Sequence, residues 1–125
     1  EGYSNPNLHS LSVGNNTLLK RIDIRNCVGL RDPLDLSGCP NIEEIYATGS
    51  GITGVTLADS GYLKIMELPK TTTSITLKNQ MSLESLVVED NDYSNINLLY
   101  IDNCPGIDSA EILNKCTNIE EILQV

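Results

Sequence analysis

The amino-acid sequence predicts an α/β solenoid, mostly β, built from coils of about 22 residues. Three observations carry that expectation. The stretch CPNIEEI at residues 39 to 45 returns as CTNIEEI at residues 116 to 122. Aliphatic residues recur along the chain in one template: aliphatic, two spacers, aliphatic, one spacer, aliphatic, two spacers, then a small polar residue or Cys. The core must also be tiled from aliphatic side chains of similar size, because the 40% hydrophobic content includes no Phe and no Trp. Such a supply suits a regular lattice better than an irregular globule.

The copies run in order from the amino end. Leu8, Leu11, Val13 and Asn16 make the first, and Leu19, Ile22, Ile24 and Cys27 the second. With one inserted residue the series continues as Leu30, Leu34, Leu36 and Cys39, then Ile42, Ile45, Ala47 and Ser50, then Ile52, Val55, Leu57 and Ser60. Leu63, Met66 and Leu68 form a shortened copy. Thr72 stands in the first slot ahead of Ile75, Leu77 and Gln80, and Leu83, Leu86, Val88 and Asn91 follow. Beyond a polar insertion, EDNDYSN, the pattern resumes with Ile96, Leu99, Ile101 and Cys104.

The second aliphatic of each copy advances by close to eleven residues. Aliphatics at alternate positions within each step read as one short strand, inner side chains in and spacers out. A full coil then carries two segments on opposite sides. One side takes positions 11, 34, 55, 75, 99 and 122, and the other takes 22, 45, 66 and 86. The two copies of the opening motif fall on opposite sides, so the repeated unit is the half-coil. After Cys104 the second side changes character, since PGIDSAEILNKC sets Pro and Gly before an Asp or Ser cap and then a short helix near 108–115.

Coil length and template resemble those of a leucine-rich repeat, with LESLVVEDN and LLKRIDIRNC similar to its strand-bearing half. The Cys or Asn closing each copy sits where that family places its ladder residue. The resemblance implies helices on the convex side, which would therefore carry 22, 45, 66 and 86 as short strands or turns. The other side would be a concave parallel sheet. A lone coil buries too little apolar surface to offset the ordering of its backbone, so stability must be shared between stacked neighbours. Residues 1–125 are expected to form a single solenoid. The absence of an initiator Met and of a capping sequence in IEEILQV suggests a piece of a longer chain.

A formal charge of −9, from 17 Asp and Glu against 8 Lys and Arg, argues against nucleic acid and anionic membrane surfaces as partners. No apolar run approaches the roughly 20 residues of a membrane span, and EGYSNPN has neither region of a signal peptide. Cys27, Cys39, Cys104 and Cys116 read as buried free thiols at ladder positions, with a disulfide framework or a zinc site as alternatives. Asp90, Asp92 and Ser94 imitate the opening of a calcium loop. Asn95 and Ile101 then stand where that loop needs Gly and Glu, so EDNDYSN reads as a solvated acidic bulge. Asn15 opens a glycosylation sequon, which matters only in a secreted eukaryotic protein.

Catalytic constellations do not emerge. His9, the single histidine, has no repeated relation to a nucleophile or carboxylate, GSGITG reads as turn, and Glu43 and Glu44 recur as Glu120 and Glu121 because the half-coil recurs. The expectation is a non-enzymatic module with no cofactor and no metal. What remains is a surface: the outward spacers of one side line up as Ser10, Pro33, Gly54, Ser74, Leu98 and Glu121, beside Ser12, Asp35, Thr56, Thr76, Tyr100 and Leu123. The candidate interaction surface is thus Asp35, Thr56, Thr76, Leu98, Tyr100 and Leu123, with its apolar end around Tyr100.

The wording of the repeats, CPNIEEI after LDLSG, then GITGVTL, then GYLKIMELPKTTTSITLKNQ, resembles the leucine-rich segments of tail and other virion structural proteins of phages and prophages of gut bacteria. That resemblance implies an assembly or host-recognition part of a phage tail or virion. Its partners would be other protein chains, either virion structural proteins or a bacterial surface receptor. The alternatives are a bacterial surface or secreted adhesin of the BspA-like kind, located at the cell surface, and a domain appended to an enzyme.

Overall fold

Alternating aliphatic and polar residues give nine short parallel strands and one helix in a computed structural model that describes residues 5–59, 61–119 and the backbone of 121–124. The strands are β1 (Arg21–Asp23), β2 (Leu34–Leu36), β3 (Glu44–Tyr46), β4 (Val55–Leu57), β5 (Ile65–Leu68), β6 (Ser74–Lys78), β7 (Ser85–Val88), β8 (Leu98–Asp102) and β9 (Glu121–Gln124). The helix, α1 (Ser109–Lys115), lies between β8 and β9. The chain is a mostly β parallel solenoid with coils of about 21 residues. On one side β1, β3, β5 and β7 form a four-stranded sheet; on the other, β2 pairs with β4, and β6 with β8 and β9.

The pairing follows the aliphatic markers. Ile22 stands opposite Ile45, Ile45 opposite Met66 and Met66 opposite Leu86. Leu34 stands opposite Val55, and Leu99 lies between Ile75 and Ile122. A one-residue slip would turn each strand's apolar set toward water, which is why the register is so well specified. Both sides carry parallel sheets, and the short strands expected on one of them join into the longest run.

Corners between strands explain the recurring Cys-x-Asn-Ile. In the 39–45 copy Cys39 N–H donates to Leu36 O at 3.0 Å and Ile42 N–H to Cys39 O at 3.4 Å, two linked turns pivoting on a buried Cys. Asn41 Nδ2 reaches back to Thr17 O at 2.8 Å, one coil earlier. Asn95 and Asn118 repeat that clamp on Lys70 O at 2.9 Å and Ser94 O at 2.7 Å. The residue before the pivot often takes a left-handed backbone, as at Asn26 (φ 62°), Gly49 (φ 78°), Asn79 (φ 57°) and Asn103 (φ 55°). Gly enters that region freely and Asn and Asp at modest cost, so RNC, TGS, KNQ and DNC mark corners. Thr72, in an aliphatic slot, is buried because its hydroxyl donates to Pro69 O at 2.7 Å.

Two details depart from the sequence reading. Residues 5–20 contain no strand, and Leu11 is 37% exposed while Leu8, Val13 and Leu19 pack partly against the core. EDNDYSN is not wholly a solvated bulge. Its Asp90 and Asn91 form an exposed left-handed turn, but Tyr93 is buried and takes the pivot expected of Asn91, with Ile96 N–H donating to Tyr93 O at 3.2 Å. Two extra residues before the pivot let a large ring plug the core. Ser60, a predicted ladder residue, lies outside the described residues. α1 begins as its sequence indicates: the Asp108 carboxylate accepts Glu111 N–H at 3.1 Å, and Lys115 pairs with Glu111 at 3.3 Å.

Candidate interaction surfaces

The side expected to present the interaction row does so in two parts. Asp35 is in register with Thr56, and Thr76 with Tyr100 and then Leu123. Leu98 lies in the neighbouring row between Ser74 and Glu121. Between Thr56 and Thr76 the row is broken, since β4 and β6 lie side by side without strand pairing. Asp35, Thr56 and Thr76 are exposed, and Leu98 and Tyr100 half-buried; the side chains of 121–124, Leu123 among them, lie outside the described residues. Asp35 accepts from Ser37 N–H at 2.9 Å and Ser37 Oγ at 2.6 Å, which hold its carboxyl below the usual range. Its charge is thereby engaged in its own turn.

The opposite sheet carries a cluster that the sequence reading passed over. Its outward rows are Arg21, Glu44, Ile65 and Ser85, beside Asp23, Tyr46, Glu67 and Val87. Both Arg21 and Arg25 stand over the Tyr46 ring, at 4.9 and 5.2 Å from its centroid. Asp23, buried beneath them, accepts from Arg25 Nε at 3.0 Å, Arg25 Nη2 at 2.7 Å and Arg25 N–H at 3.2 Å, and more loosely from Arg21 Nη2 at 3.5 Å. Tyr46 donates its hydroxyl to Glu44. That bond, then burial, raises the phenol above its ordinary 10.0. The result is a patch of arginine, tyrosine and carboxylate side chains that contact one another across the outer face of the sheet. The row construction used for the other side would have found it.

Arg25, through its bonds to the carboxylate, holds Asp23 below the ordinary value of 3.8, against the opposing effect of burial. A depressed folded pKa contributes stability that is present above the unfolded value and lost as pH falls through the folded one. Asp23→Asn is therefore expected to lower the urea midpoint at pH 7, and the gap to the parent chain should close as pH falls below about 3.8. A gap unchanged at low pH would show that the charge plays no part.

All four cysteines are buried and unbridged. Burial pushes the Cys104 and Cys116 thiols up, and Cys104 Sγ donates to Asp102 O at 3.3 Å. Among the described residues no three His, Cys, Asp or Glu side chains converge as a metal site, and no helix is long and apolar enough to cross a membrane. No family model matches the chain, and neither a curated protein nor a solved structure matches it.

Proposed function

We propose that this chain is a non-enzymatic protein-interaction or structural module of the leucine-rich repeat kind, serving in a phage tail or other virion structural or host-recognition protein. What supports an interaction role is the patch at Tyr46. Arg and Tyr are the residue types that dominate protein interfaces, and here both guanidinium groups are already stacked and paired. Such a patch loses little side-chain entropy when a partner covers it. The solenoid supports the same reading by holding the patch on a paired sheet, where spacing between rows is set by the strands. The virion assignment rests on the wording of the repeats and is carried by that resemblance alone.

Mass spectrometry of particles and cell fractions from the source tests the assignment. Peptides of this chain are expected among capsid and tail proteins, with cross-links from Lys20, next to Arg21, to a second virion protein. Recovery only in a cell-surface fraction, on a parent carrying a secretion signal, would replace this reading with the surface adhesin.

A further inference from the structure

Among the described residues, every neighbouring pair of strands in the stack is hydrogen-bonded except one. β2 pairs with β4, β6 with β8 and β8 with β9, but β4 and β6 meet only ahead of their strands, where Thr73 N–H donates to Thr53 O at 2.9 Å. Beyond that bond they run side by side unpaired. The consequence is visible in the core. Inward-facing residues of β2, β6 and β8 are buried, whereas Val55 and Leu57 of β4 are only half-buried. A cleft of about 430 Å³ opens here, within the range of small-molecule sites, with those two side chains contributing an apolar wall.

Gln80 lines the same cleft and is 1% exposed. Its Nε2 donates to Ala58 O and to Lys78 O, both at 3.0 Å, so the amide spans the seam that the backbone leaves open. Turning the amide over would set its oxygen against two carbonyls, which fixes the orientation. Gln80 Oε1 is then left buried without a hydrogen-bond partner. Buried acceptors are seldom left so, and each such exception calls for an explanation.

We propose that this seam is a binding site for a neutral saccharide. The missing partner of Oε1 is a donor, and a sugar hydroxyl is one. Thr56 and Thr76 add hydroxyls, which both donate and accept, at the rim. Asp59 and Lys78, also at the rim, offer one charge of each sign, so neither an anion nor a cation gains a net attraction. Asn79 Nδ2 approaches the Asp59 carboxylate at 3.5 Å and orients it. A pyranose ring presents an apolar face and a belt of hydroxyls, matching an aliphatic wall beside a polar rim. No lining side chain is aromatic, which disfavours a planar nucleobase. The site lies on the sheet opposite the Tyr46 patch and stands or falls separately from it.

The test is saturation-transfer NMR on the full chain with methyl α-glucopyranoside, methyl β-galactopyranoside, N-acetylglucosamine and the β-linked disaccharides of each. At least one neutral sugar is expected to bind, and Thr76→Val and Gln80→Met are each expected to weaken it tenfold or more. Thr76→Val changes only an exposed hydroxyl, so its circular dichroism and melting temperature should match the parent chain even if Gln80→Met is less stable. No transfer to any of these sugars at millimolar concentration would overturn the proposal. So would binding that Thr76→Val leaves unchanged.

Discussion

Ile45→Ala is expected to cost about 3 to 4 kcal/mol of unfolding free energy, read as a lower urea midpoint in a single transition. Ile45 is fully buried at the centre of the four-stranded sheet, paired with Ile22 on one side and Met66 on the other. Truncation leaves a cavity bordered by the coils before and after, and a stack of short strands anchored at both faces has little freedom to collapse into it. Ile45→Val, which removes one methylene in a strand that favours β-branched residues, should cost only about 1 kcal/mol. A loss near 1 kcal/mol for both variants would show that the coils relax independently. In that case coupling between neighbours is weaker than the paired register implies.

Tyr46→Ala is expected to weaken binding of a protein partner to this sheet by roughly thirtyfold, about 2 kcal/mol, the usual weight of a tyrosine anchor at an interface. The ring is the platform under both guanidinium groups. Tyr46→Phe keeps that platform and loses only the hydroxyl bonded to Glu44, so most of the affinity should survive. Partner binding measured by surface plasmon resonance on both variants separates ring from hydroxyl. Equal affinity in the parent chain, Tyr46→Ala and Tyr46→Phe would move the contact away from this sheet. Tyr100→Ala, at the apolar end of the other face, would then be the next variant to bind and compare.

Much of this architecture is written in local pattern. The four markers Ile22, Ile45, Met66 and Leu86 pair with one another because alternation forces inward residues to face the same core. α1 starts at its Asp108 cap for equally local reasons. The seam beside β4 is a different matter. Val55 and Leu57 carry the same template as Leu34 and Leu36, and nothing in those letters says that the next strand will fail to pair. Tyr93 was hidden because two residues inserted before a pivot look like a loop lengthening, whereas the stack uses them to deliver a ring to the core. The Tyr46 patch was missed through the choice of side. Assigning function to the sheet opposite the helix left the outward rows beside Arg21 unread, although the same spacing generates both.

The clamps from Asn41, Asn95 and Asn118 reach from each coil to the one before it, and the backbone bonds between neighbouring coils, donated in both directions, lie along the same axis of the stack. End-to-end tension on the stack would therefore pull these bonds open in line, a few at a time, instead of shearing a whole sheet at once. Under load the chain would lengthen in steps, each releasing a coil of about 21 residues, or about 70 Å of extended backbone. A fibre or tail built on such an element would have an extensible joint whose resistance is set coil by coil.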